Sequence, residues 1–194
     1  MIVIAGPPGS GKSSVFPVSE AGVDFFNIDD QAALLNGGSY QSIPPEIRAQ
    51  ASRECEQFIT THIADGRSFA VETTLRTRKA LEQAEDAREH GFETEMIYVA
   101  LDYIGDNIER IAIRADAGGH AASPGRIRAI HRASLGNLPA ALRQFDRVWV
   151  YDNSAPGGPR RLVMETCKGS VRFVADEPPR WLREAFRGTE YGSF

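Results

Sequence analysis

The stretch Gly6-Pro7-Pro8-Gly9-Ser10-Gly11-Lys12-Ser13 follows directly on Met1-Ile2-Val3-Ile4-Ala5. Its spacing is G-x-x-x-x-G-K-[ST], and the β-branched run ahead of it reads as a buried strand. The segment therefore predicts a phosphate-binding loop between a strand and a helix. Glycines at 6, 9 and 11 let the main chain wrap an anion with its N–H groups inward, and the helix opening near Lys12 adds the positive end of its dipole. In that geometry Lys12 reaches the β- and γ-phosphates and the Ser13 hydroxyl holds Mg²⁺. Residues 6–14, Ser14 included, form the expected nucleotide contact. Lys12, Lys79 and Lys168 are the only lysines beside 19 arginines, which argues against Lys12 as surface filler.

Outward from the loop, apolar bursts at residues 2–5, 23–28, 68–72, 96–101 and 147–151 alternate with amphipathic stretches. That alternation predicts an α/β fold, a parallel five-stranded sheet flanked by helices. Near-continuous runs such as Met96-Ile97-Tyr98-Val99-Ala100-Leu101 suit strands covered on both faces. Helices are expected over 45–65, where Ile47, Ala51, Cys55, Phe58, Ile59 and His62 share a helical spacing, and over 77–90, ending at Gly91. Pro17 falls inside the helix that should follow the loop and would kink it. Residues 1–155 read as the core, with an arginine-bearing lid over about 104–136. Residues 156–194 read as an extension packed on the same domain: a β-hairpin from 161–166 and 170–175 turning at Lys168-Gly169, a short helix over 179–187, and a loose tail over 188–194.

The 194 residues are enough to bury a full core, and the formal charge of −4 gives no whole-molecule attraction to nucleic acid or anionic membrane. Cys55 and Cys167 are too few for a disulfide framework and suggest core thiols in a reducing compartment. No long apolar segment occurs, so a cytoplasmic location is expected, with no membrane span.

A phosphate loop alone does not separate kinases from GTPases or motors. Asp29, with Asp30 beside it, follows the second strand and would open onto the ligand crevice. There it could take a proton from an attacking hydroxyl, while Asp30 is the better candidate to cap a helix over 31–35. The third strand ends in Glu72-Thr73-Thr74-Leu75-Arg76, a set of acceptors and donors suited to a polyol or sugar, with helix capping as the alternative use of the threonines. No base-reading N-K-x-D run of GTPase type is present. Arg110 and Arg114 lie at i and i+4, Gly118-Gly119-His120 follows, and Arg126, Arg128 and Arg132 come next. Arg114 and Arg128 are the first choices to steady a moving phosphoryl group, and His120 is a candidate substrate contact. Asp152-Asn153, at the end of the fifth strand, fits either an adenine-facing edge or a turn-forming pair.

Taken in order, the loop, Asn27-Ile28-Asp29, Glu72-Thr73-Thr74-Leu75-Arg76, Arg110 and Arg114 before Gly118-Gly119-His120, Ser134-Leu135-Gly136-Asn137-Leu138 and Tyr151-Asp152-Asn153-Ser154 resemble the zeta toxin family across about residues 1–155. The resemblance implies a P-loop kinase fold and a kinase that uses ATP and Mg²⁺ to phosphorylate the 3′-hydroxyl of the sugar in UDP-N-acetylglucosamine. It implies Asp29 as base, Lys12 and Ser13 on nucleotide and metal, Glu72, Thr74 and Arg76 on substrate, and phosphate-steadying arginines near Arg114 and Arg128. A separate antitoxin protein is the implied partner. The chain departs from the family at Ala121-Ala122-Ser123-Pro124-Gly125, and has Ala129 and Ile130 where further arginines are common. The alternatives are a kinase for another hydroxyl (an antibiotic, a nucleoside or a polynucleotide end) and a non-catalytic ATP-binding interaction protein.

Overall fold

The structure is a computed structural model that describes residues 1–15, 22–119, 122–155 and 158–192. Pro17 and His120 lie outside the described residues, as does the Ser14 side chain.

Among the described residues, seven strands form one sheet in the order β2-β3-β1-β4-β5-β6-β7. They are β1 (Ile2–Ala5), β2 (Asp24–Phe26), β3 (Phe69–Thr73), β4 (Glu95–Ala100), β5 (Arg147–Asp152), β6 (Arg161–Cys167) and β7 (Ser170–Val174). The first five run parallel, and β6 and β7 join antiparallel. The expected parallel five-stranded sheet is therefore the larger part of a mixed, seven-stranded one. The hairpin does not stand apart from it, because β6 pairs along the free edge of β5 from Arg147–Cys167 to Asp152–Arg161. Its turn follows from local chemistry. Lys168 and Gly169 both take positive φ, 49° and 73°, as a two-residue connection matched to strand twist requires.

Seven helices cover the sheet: α1 (Lys12–Val15), α2 (Ile28–Leu35), α3 (Pro45–Ala64), α4 (Lys79–Glu89), α5 (Ile104–Asp116), α6 (Pro124–Gln144) and α7 (Arg180–Phe186), counted among the described residues. Pro45 and Pro124 stand at the first positions of α3 and α6, where a missing N–H costs no helical bond. On β5, Val148 and Val150 are fully buried and pack in one core with Leu138, Leu142, Phe145, Met164 and Trp181, while the alternate residues Arg147, Trp149 and Tyr151 stay partly exposed. The expected loose tail is instead docked as far as Tyr191, whose ring packs on Phe186 and whose hydroxyl donates to Gly169 O at 3.1 Å. An aromatic that can bury its ring and still satisfy its hydroxyl has a reason to stay down.

β1 sits between β3 and β4, so the chain leaves it in opposite directions on its two sides. In sheets of this kind ligands bind at that reversal, outside the carboxyl ends of the strands. The loop after β1, the turn after β2 and the turn after β3 all open there.

Candidate active site

The loop between β1 and α1 is held by side chains from far along the chain. Asn107 Nδ2, on α5, donates to Pro8 O at 2.8 Å, and Asn153 Nδ2, just past β5, donates to Ser10 O at 2.9 Å. Gly9 has φ +75°, and a Cβ there would lie 2.6 Å from the Asn107 carbonyl oxygen, so only glycine fits without displacing α5. Lys12 is buried. Its Nζ donates to Gly6 O at 3.1 Å and Pro7 O at 3.4 Å and pairs with Glu72 Oε1 at 3.4 Å across the β1–β3 step. The ammonium is thus poised at the rim of the loop with a carboxylate on its far side. Ser13 is exposed at the start of α1.

A cleft of about 800 Å³ opens beside the loop. Pro8, Gly9 and Lys12 line one wall, and Asp29, Asp30, Glu72, Thr73, Thr74 and Arg76 line the strand ends. Sequence reasoning placed the helix cap at Asp30, but the cap is Asn27. Its Oδ1 accepts from Asp29 N at 2.9 Å and Asp30 N at 3.4 Å, so α2 begins at Ile28 rather than near Gln31. That earlier start leaves the Asp29 side chain free to face the cleft. Asp30 accepts from the Tyr40 hydroxyl at 2.9 Å, a bond that raises the phenol's pKa above its usual value. Tyr40 also lines the cleft, a residue that sequence reading passed over.

At the end of β3, Thr73 Oγ1 accepts from Leu75 N at 3.2 Å, bracing a turn in which Leu75 takes φ +54°. Asn137, on α6, donates to Leu75 O at 2.9 Å, and Ser134, one turn earlier, meets the buried Tyr98 hydroxyl at 2.9 Å. The Ser134-to-Leu138 stretch thus acts as a brace beneath the cleft.

Four arginines from four parts of the chain line the cleft: Arg48 on α3, Arg76 after β3, Arg114 on α5 and Arg126 on α6. Among the described residues none of them has an ion-pair partner. Arg128, expected at the site, is exposed and does not line the cleft. Two residues along an α-helix turn through about 200°, so only one of Arg126 and Arg128 can face inward, and it is Arg126, with Ile130 one turn on. Arg110 braces the site instead of lining it, donating to Asn153 O at 3.3 Å.

Among the described residues no group of three or more His, Cys, Asp or Glu could cage a metal by itself. Ser13 offers an exposed hydroxyl beside the phosphate loop. That suits Mg²⁺, which keeps most of its ligands as water and phosphate oxygen. No helix among the described residues is long and apolar enough to cross a membrane.

The fold, with its phosphate-loop sequence after β1, is of the P-loop kinase class. The zeta toxin family model matches residues 1–155, and the chain belongs to that family. An uncharacterised protein of Haemophilus influenzae is 26% identical over 120 residues, covering 61% of this chain and 83% of that one. The AvrRxo1-ORF1:ORF2 complex with ATP superposes with a TM-score of 0.71 at 14% identity, covering 100% of this chain and 64% of the other. The PezAT toxin–antitoxin system of Streptococcus pneumoniae gives 0.58 at 18% identity, over 97% and 78%. The chain thus spans less than two thirds of the AvrRxo1 chain it matches.

Proposed function

We propose that the protein moves the γ-phosphate of ATP to a hydroxyl of an acceptor that carries phosphate of its own, a UDP-sugar such as UDP-N-acetylglucosamine. The observation that carries the reading is the charge of the cleft. Of the charged residues that line the cleft, Lys12 pairs with Glu72 and Lys79 with Glu56, while Arg48, Arg76, Arg114 and Arg126 are set against the charges of Asp29 and Asp30 alone. Two positive charges are left over, spread along the cleft from the loop to α3. That surplus suits phosphate-bearing ligands, the nucleotide at the loop among them, and arginines drawn from four parts of the chain offer cationic groups for phosphate on the acceptor as well.

In this reading the loop amides and Lys12 hold the β- and γ-phosphates, and Ser13 holds Mg²⁺, which when bound offsets phosphate charge. Asp29 accepts the proton of the attacking hydroxyl, Glu72, Thr74 and Arg76 orient the acceptor, and Arg114 and Arg126 meet the charge on the transferring group. ATP use is supported by the family and by the ATP complex of AvrRxo1-ORF1. The complexes formed by AvrRxo1 and PezAT support a separate antitoxin as partner.

The test is a phosphate-transfer screen with ATP and Mg²⁺ against UDP-sugars, a nucleoside, free N-acetylglucosamine and gluconate. Transfer to a UDP-sugar with little to the free sugar is expected. Efficient phosphorylation of the nucleoside, the free sugar or gluconate, with none of any UDP-sugar, would overturn the proposal.

A further inference from the structure

We propose that Asn107 and Asn153 are positioning residues that hold the phosphate loop in its anion-binding curve; the proposal rests on the nucleotide reading above. Across a trans peptide the C=O of one residue and the N–H of the next point in opposite directions. Asn107 Nδ2 holds the Pro8 carbonyl toward α5 at 2.8 Å, which turns the Gly9 N–H away from α5. Asn153 Nδ2 holds the Ser10 carbonyl toward the end of β5 at 2.9 Å, which turns the Gly11 N–H away from that strand end. Two alternate carbonyls are thus pulled outward so that two alternate amides face in.

The glycine pattern agrees. A Cβ on Gly9 would lie 2.6 Å from Asn107 O, and one on Gly11 would lie 2.3 Å from Asn153 Nδ2. Each clamp therefore sits directly against one of the residues whose amide it aims. Asn107 is fully buried, yet its Oδ1 has no hydrogen-bond partner among the described residues. A buried half-satisfied amide is disfavoured in a helix that could have carried an aliphatic there, and its retained donor goes to the loop.

Both clamps are themselves anchored. Asn153 N donates to Ala100 O at 3.0 Å and its carbonyl accepts from Arg110. The preceding Asp152 accepts from Trp181 Nε1 at 3.0 Å and from Ser154 Oγ at 2.6 Å. The clamp at Asn153 thus stands on a strut that runs back to α7.

The experiment compares wild type with Asn107→Leu and Asn153→Leu, which keep the number and branching of side-chain heavy atoms and remove the donor. Calorimetric titration with pyrophosphate and with ADP reads the loop; thermal melting without ligand reads the fold. Each variant is expected to bind both anions about tenfold more weakly while melting within a few degrees of wild type. A purely structural role would move the melting temperature and leave the affinity of the folded protein unchanged. If Asn107→Leu does not fold, Asn153→Leu, at a half-buried position, decides. Wild-type affinity in Asn153→Leu overturns the proposal. Wild-type protein that binds neither anion removes the nucleotide reading and this inference with it.

Discussion

Replacing Gly9 by alanine should damage nucleotide handling far more than stability, and the structure says by how much. The residue sits at φ +75°, where a non-glycine side chain costs about 1–2 kcal/mol. The added Cβ would lie 2.6 Å from the Asn107 carbonyl oxygen and 3.1 Å from its Cα. Both are main-chain atoms of α5, so no side-chain rotation relieves the contact. Reaching an ordinary separation of 3.4 Å requires the loop to retreat by about 0.8 Å, and a misplacement of about 1 Å can cost on the order of 10²-fold in rate. Gly37 supplies the control: its φ is +68° and a Cβ there meets nothing within 4 Å, so Gly37→Ala carries the backbone cost alone. Melting temperature, ADP affinity and turnover should be measured for both. Gly37→Ala is expected to lose about 1 kcal/mol of stability and keep its kinetics. Gly9→Ala is expected to melt similarly but lose on the order of 10²-fold in turnover. Wild-type ADP affinity and turnover in Gly9→Ala, or an equal kinetic loss in Gly37→Ala, would refute the reasoning.

Arg126→Ala should lower turnover by at least about tenfold while Arg128→Ala stays near wild type, since a charge-stabilising arginine can be worth 10³-fold or more and only Arg126 lines the cleft; the reverse order in steady-state kinetics would put the wrong face of α6 at the site. Asp29→Asn should reduce kcat on the order of 10²-fold with ADP affinity unchanged, because the partner assigned to Asp29 is the acceptor hydroxyl. Parallel losses would place it on metal or nucleotide instead. Burial pushes the Cys55 thiol from 9.0 up to about 11. Its folded pKa therefore lies above the unfolded one, so the contribution to stability is complete below about pH 9 and declines as pH rises toward 11. Alkylation of Cys55 at pH 8 should accordingly run at least about tenfold slower in native than in unfolded protein; equal rates by mass spectrometry would contradict the burial argument.

Residues whose meaning is carried by near neighbours were the legible ones. The loop from Gly6 to Ser13 is chemistry in consecutive positions, and the buried strands announce themselves as β-branched runs. Lys168-Gly169 likewise states its own turn. What sequence hid is contact across distance. Asn107 and Asn153 reach loop carbonyls 99 and 143 residues away, and their only trace in sequence is a polar residue on the inner stripe of α5 and an Asx pair with two plausible uses. The choice between Arg126 and Arg128 depends on helical phase, which Ser123 fixes by accepting from Arg126 N as the cap of α6. The cap of α2 was misplaced because three candidate residues, Asn27, Asp29 and Asp30, stand together, and only backbone geometry chooses among them. Glu72 is legible as a carboxylate at a strand end, but its pairing with Lys12 is not, because that depends on the parallel pairing of β1 and β3.

Trp181 lies 26 residues beyond the stretch that the family model matches, yet it donates to Asp152 and, through its main-chain N–H, to Asp102 at 3.0 Å. Ancestry as sequence similarity records it stops before the ends of β4 and β5 find their last fastenings. On the clamp proposed above, substitution at Trp181 would loosen the end of β5 and with it the grip on a nucleotide, without touching any motif.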